Sequence, residues 1–203
     1  DPERPLEDDV APLPEPARGV AIGLVDAQSD LAAGGHGARQ RDADFEVIVI
    51  DQNADDRVEK IARHFSRLFS VKHLRCERGL SRARNRGLEV ADGDVVAFPD
   101  DDCWYPSGLL RTVENCLAAN PELDGVVGRC LDEQGQPSHS SPPATRRTIS
   151  RRNVWTDAIS ITVFLRSGLV DSVGFFDETL GAGSGTRWGS GEETDYLLRA
   201  LAT

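Results

Sequence analysis

FEVIVIDQN, residues Phe45–Asn53, is a short β-branched run that stops at an acid and two turn-prone amides. A continuous apolar run of this length predicts a strand covered on both faces. Downstream, Asp55–Phe69 carries Val58, Ile61, Ala62, Phe65 and Leu68 at helical spacing, with charges between them. Val71–Arg75 reads as a short strand, Leu80–Ala91 as a helix and Val95–Phe98 as a second buried strand. Pro106–Ala119 is an amphipathic helix ending near Asn120 and Pro121, and Gly125–Cys130 is a further strand. Strand and helix alternate from Phe45 to Cys130, which predicts an α/β fold with a mostly parallel sheet flanked by helices. In such sheets ligands sit beyond the carboxyl ends of the strands. Asp51 and the triplet Asp100, Asp101 and Asp102 follow two of those ends, so the topology brings them to one edge.

Outward from this region the signal weakens. Gly19–Asp26 (GVAIGLVD) has the composition of a strand, whereas residues 27–44 have poor periodicity. Residues 1–18 are acidic and rich in proline, and read as a disordered tail. Residues 19–203 are expected to form one domain. On the other side, Gln134–Arg152 is polar and holds Arg146, Arg147, Arg151 and Arg152, which predicts a long exposed loop that is solvated or faces phosphate. Ser160–Leu165 is strand-like and Arg166–Val173 a short helix. The glycine-rich stretch Gly181–Gly191 (GAGSGTRWGSG) leads into Glu192, Glu193 and Asp195 and then a helix over Tyr196–Leu201.

Composition narrows the function classes. The chain has 203 residues, 39% of them hydrophobic, enough for a packed core. Its net charge of -11 argues against general nucleic-acid binding, which needs a basic surface. A polyphosphate ligand is not excluded, because a divalent cation inverts the local field. No apolar run approaches the ~20 residues of a membrane span, and no charged-then-apolar leader is present, so the expected location is cytoplasmic. Cys76, Cys103, Cys116 and Cys130 are irregularly spaced without a CxxC pair, which favours free thiols over structural zinc.

Four groups of residues can carry chemistry. Three adjacent aspartates repel one another unless something compensates them, and Mg²⁺ or Mn²⁺ is a natural compensator. Asp100 and Asp102, two apart on an extended chain, project to the same side, while Asp101 is a spacer. The alternative is an acidic turn capping the next helix. Glu192, Glu193 and Asp195 stand at a helix start, either as acids favoured by the helix dipole or as a general base. Arg82 lies nearest the start of its helix, where a guanidinium and the helix N-terminus suit phosphate; Arg84 and Arg86 read as an exposed basic face. Trp188, flanked by glycines, is a stacking platform for an acceptor sugar or a loop anchor.

Together FEVIVIDQN (Phe45–Asn53), GLSRARNRGL (Gly79–Leu88), VVAFPDDDCWY (Val95–Tyr105) and GSGEETDYLLR (Gly189–Arg199) occur in the order and approximate spacing of the family 2 glycosyltransferases, and GFFDETLG (Gly174–Gly181) is similar to the segment preceding their catalytic acids. The resemblance runs from Phe45 to the C-terminus and implies a GT-A, Rossmann-like fold. It also implies transfer of a sugar from a nucleoside diphosphate donor, with inversion and with Mn²⁺ or Mg²⁺. Asp51 resembles the acid that contacts the nucleotide base. Asp100 and Asp102 match the DxD motif that binds ribose or diphosphate and the metal, with Asp101 between them. The family's Glu-Asp pair falls on Glu192 and Glu193, which gives Glu193 the role of base, as Glu where Asp is usual, with Asp195 as the fallback. On this reading residues 45–130 form the nucleotide-sugar-binding half and residues 131–203 the acceptor and catalytic half. The implied partners are a nucleotide-sugar and a saccharide or lipid-linked acceptor, with peripheral membrane association.

Two departures accompany the resemblance. Residues 19–44 do not match the opening strand and short polar motif of the family, and members continue past the position of Thr203, so the reading expects an incomplete fold. The alternative function is a GT-A-like domain that binds nucleotide-sugar weakly or not at all. A phosphatase or nucleotidyltransferase would use the same triplet but leaves Gly189–Asp195 without a role.

Overall fold

The structure is a computed structural model that describes residues 20–25, 43–100, 103–132, 134–137 and 145–203. The expected tail over residues 1–18, nearly all of residues 27–44, and Asp101 and Asp102 lie outside the described residues. Six strands are described: β1 (Val20–Val25), β2 (Phe45–Asp51), β3 (Ser70–Arg75), β4 (Val95–Ala97), β5 (Gly125–Val127) and β6 (Val163–Arg166). They form one sheet in the order β3-β2-β1-β4-β6-β5. The β3-β2-β1-β4 part is parallel, as the alternation predicts. β6 runs antiparallel between β4 and β5.

The unbroken apolar run of β2 has its cause in the two helices beside it. Ile48 and Ile50 pack with Ala83 of α2 (Leu80–Leu88), while Val47 and Val49 pack with Val58 of α1 (Arg57–Phe65). All four β2 side chains are at most 3% exposed. Burying a side chain of this kind stabilises by roughly 1.5–3 kcal/mol. The same two-sidedness recurs at β4. Val95 and Ala97 face Leu110, Val113 and Leu117 of α3 (Leu109–Ala119). Val96 and Phe98 face Val170 of α5 (Ser167–Val173) and Tyr196 and Leu197 of α6 (Glu192–Ala200).

Several boundaries differ from the sequence expectation, each for a local reason. α2 stops at Leu88 rather than Ala91, because the Val90 N–H turns back to the Gly87 carbonyl and the Val90 carbonyl accepts from Lys72 Nζ at 2.7 Å. α3 starts at Leu109, after a turn in which Gly108 has φ 75°. Ser160–Thr162 is a 3₁₀ turn rather than strand, with the Thr162 N–H and hydroxyl both donating to the Ile159 carbonyl. α6 begins at Glu192 rather than Tyr196, so the acids form its first turn. A short helix, α4 (Val154–Asp157), had no sequence counterpart; it packs on α6.

Candidate functional site at the carboxyl edge of the sheet

β2 delivers Asp51 to the carboxyl edge fully buried. Its Oδ1 accepts from the backbone N–H and the Nδ2 of Asn53, each at 2.9 Å, and its Oδ2 lies 3.2 Å from His73 Nε2. Burial alone would raise the carboxyl pKa. The hydrogen bonds from Asn53 and His73 outweigh it and hold the group below its usual 3.8. Asp51 is therefore an oriented anion at neutral pH. The neighbouring Gln52 reaches across to the start of α2, donating to the Gly79 carbonyl at 3.0 Å and accepting the Gly79 N–H at 3.2 Å.

Asp100 follows the buried end of β4 and is half-buried. Ala97 is level with Ile22 of β1, which is level with Val47 of β2. The β1–β4 ladder ends at the Ala97–Ile22 pair, so Asp100 lies three residues past the last paired position of β4. Among the described residues no group of three or more His, Cys, Asp or Glu side chains could hold a metal. A Mg²⁺-type site needs only one or two protein carboxylates, and Asp100 with the two aspartates after it supplies that hard donor chemistry.

The acids of α6 diverge. Gly191, in a left-handed conformation with φ 95°, turns the chain into the helix. Glu192 points inward: its Oε1 accepts from Arg84 Nη1 at 3.2 Å, and both side chains are buried. The Arg84 guanidinium lies 5.3 Å from the Phe176 ring and 5.9 Å from the Phe98 ring. Gly181 closes over this pair; a Cβ there would come within 3.0 Å of Glu192 Oε2 at a φ of +93°, so only glycine fits without displacement. Glu193 is half-exposed, and its Oε2 accepts the Ser160 N–H at 3.1 Å. Glu193 and Phe98 line one small recess of about 10 Å³, room for a single water and too small for a sugar. Asp100 follows Phe98 by two residues along the chain. Asp195 is engaged one turn on by Arg199 Nε at 3.0 Å.

The arginines of α2 need correction. Arg84 is not part of an exposed basic face but is 3% exposed and ion-paired. Arg86 is exposed and pairs with Glu89. Arg82 is partly exposed and bonds Glu178 at 3.2 Å and the Arg78 carbonyl at 3.0 Å. The leading N–H groups of the helix are not open to phosphate either, since those of Gly79 and Leu80 bond Gln52 and the Ala182 carbonyl. The helix is a fastener. Ser81 donates to the Leu180 carbonyl at 2.8 Å, and Asn85 bonds the backbone of Phe176 in both directions, at 3.0 and 2.7 Å. Ser81, Arg84 and Asn85 fall at i, i+3 and i+4, one helix face, and that polar face was the available signal for a buried junction. Asp157, 1% exposed and paired with Arg147, carried no signal beyond its charge.

Trp188 is 53% exposed. Its carbonyl accepts the Gly181 N–H at 2.9 Å, and the Arg187 guanidinium lies 4.5 Å from its ring centre. Backbone therefore anchors the loop and leaves the indole outward, which suits a stacking surface better than a packed anchor. Trp104, just after the triplet, is similarly exposed.

Comparison with known proteins adds family and fold. The sequence profile of glycosyl transferase family 2 matches residues 36–172. Glycosyltransferase AglE of Haloferax volcanii is 29% identical over 155 residues, which are 71% of this chain and 49% of AglE. The crystal structure of S. aureus TarS residues 1–349 superposes with a TM-score of 0.71 at 20% identity, over 90% of this chain and 55% of that one; the same protein is also solved with UDP-GlcNAc. The mannosyltransferase PcManGT of Pyrobaculum calidifontis, solved with GDP-Man and Mn²⁺, has a TM-score of 0.58 at 18% identity, over 87% of this chain and 52% of that one. The chain thus spans about half the length of AglE and of the TarS chain. The shared fold is GT-A.

Proposed function

The chain belongs to glycosyl transferase family 2, and from that premise we propose that it transfers a sugar from a nucleoside diphosphate donor to an acceptor hydroxyl, with inversion at the anomeric carbon. The observation that supports this reading is the pairing of a buried, hydrogen-bonded Asp51 at the carboxyl edge of the sheet with a half-exposed Glu193 in the first turn of α6, held by the Ser160 N–H. The donor half uses Asp51 at the nucleotide and Asp100–Asp102 at the diphosphate. Asp100 and Asp102 would hold Mn²⁺ or Mg²⁺, and when bound that ion offsets charge on the leaving diphosphate. The Mn²⁺ in the PcManGT complex supports this assignment.

On the acceptor side Glu193 takes the hydroxyl proton as the acceptor oxygen bonds to the anomeric carbon and the bond to diphosphate breaks. The Ser160 N–H holds one oxygen of Glu193, which fixes the direction of the other. Glu192 positions it by tying the first turn of α6 to Arg84. Trp188 offers an apolar face to the acceptor, and Arg82, beside the glycine-rich loop, is the cation that donor binding would recruit. The acceptor is a saccharide or a lipid-linked saccharide, handled in the cytoplasm or at the membrane surface. Among the described residues no helix is long and apolar enough to cross a membrane.

The test is release of nucleoside diphosphate from a panel of UDP- and GDP-sugars, with Mn²⁺ and after chelation. Release that requires the metal and favours one donor is the expected result. No release from any donor with metal present selects the non-catalytic alternative.

A further inference from the structure

We infer that the face formed by Arg146, Arg151, Arg152 and Trp155 docks on an anionic lipid bilayer. The chain as a whole is acidic, with a net charge of -11, yet four arginines fall within Arg146–Arg152 and no acid lies among them. The acid nearest in sequence, Asp157, is buried and paired with Arg147. Arg146 donates to Asn120 Oδ1 at 3.2 Å, and among the described residues neither Arg151 nor Arg152 has a carboxylate partner. The four arginines and Trp155 are exposed. Guanidinium groups left without carboxylates are suited to phosphate oxygens.

Trp155 selects the ligand class. It is 64% exposed, among the most exposed large apolar side chains of the chain. Its indole N–H already donates to the Arg151 carbonyl at 3.3 Å. That bond fixes Trp155 to the arginine segment and leaves only apolar ring outward. An indole beside cations is the combination that partitions at the headgroup boundary, ring toward acyl chains and guanidinium toward phosphate. Nucleic acid would meet the cations but offers no acyl phase for the outward ring.

The face is also rigid before it binds. Asn153 Oδ1 accepts the Ser150 N–H at 2.7 Å and its hydroxyl at 2.9 Å, while Asn153 Nδ2 donates to the Thr148 carbonyl at 3.1 Å. Little ordering is left to oppose docking. α4, which bears Trp155, packs on α6, the helix that carries Glu193. The inference stands on this face alone and does not need Glu193 to be the base.

Co-sedimentation tests it without donor or metal, using vesicles of phosphatidylcholine alone and of phosphatidylcholine mixed with phosphatidylglycerol. The protein is expected to pellet with the anionic vesicles only, and to be released by salt as screening grows. Arg151→Ala and Arg152→Ala should each weaken the partition about fivefold. Trp155→Ser should weaken it with no change in far-UV circular dichroism. Equal pelleting with neutral vesicles, no pelleting with either, or variants that bind like the wild type would overturn the inference. So would retention of a single-stranded DNA oligonucleotide or soluble polyphosphate in place of vesicles. The result is independent of sugar transfer, so failure here leaves the transferase reading untouched.

Discussion

Glu193→Gln is expected to slow sugar transfer by about 10²–10⁴-fold while leaving donor binding and thermal stability near wild type. Glu193 Oε2 accepts the Ser160 N–H at 3.1 Å, and a glutamine carbonyl oxygen can accept the same bond. The side chain is half-exposed, so replacing its charge leaves no buried ion unpaired. What the amide cannot do is take a proton. On the proposed assignment the donor is held by Asp51 and Asp100–Asp102 rather than by Glu193, so its affinity should not move. Glu192→Gln provides the internal contrast: it deprives buried Arg84 of its counter-charge and should lower the melting temperature. If Glu193→Gln turns over like the wild type, the base is elsewhere, and Asp195, paired with Arg199 at 3.0 Å, is the next candidate.

Arg84→Ala is expected to destabilise the fold by about 3–5 kcal/mol, because it strands a buried carboxylate. Arg84 and Glu192 are both buried, and the guanidinium rests against Phe98 and Phe176. For a domain of this size that corresponds to a fall in melting temperature of roughly 10 °C, read by circular dichroism. The pair joins α2 to α6 across 108 positions of sequence, so loosening it also frees Glu193. The double variant Arg84→Met with Glu192→Leu should recover much of the stability, since replacing a buried pair by apolar side chains is often neutral. A small loss in Arg84→Ala, comparable to that of exposed Arg86→Ala, would show that the pair is not a structural junction.

The sheet was legible in the sequence because both faces of β2 and β4 are covered, and an unbroken apolar run records that directly. The antiparallel β6 was not, since a strand of four residues, Val163–Arg166, carries no mark of its direction. Boundaries slipped where single hydrogen bonds decide them, as at Lys72 on the Val90 carbonyl or the left-handed Gly191 before Glu192. Within the candidate site, the acids stood out because clustered like charges are costly without a purpose. The different surroundings of Glu192 and Glu193 did not, because adjacent glutamates look alike until one meets Arg84 and the other the Ser160 N–H. Arg84 itself was misread as surface because charge usually signals exposure. Its buried partner lies 108 positions away and is invisible to local pattern.

Calorimetric titration of nucleoside diphosphates into the protein, with and without Mn²⁺, addresses the donor site most directly when wild type is set beside Asp100→Ala and Asp102→Ala. Binding that needs Mn²⁺ and disappears in both variants is the predicted result. Binding of equal affinity without metal, or undiminished in the variants, would contradict it.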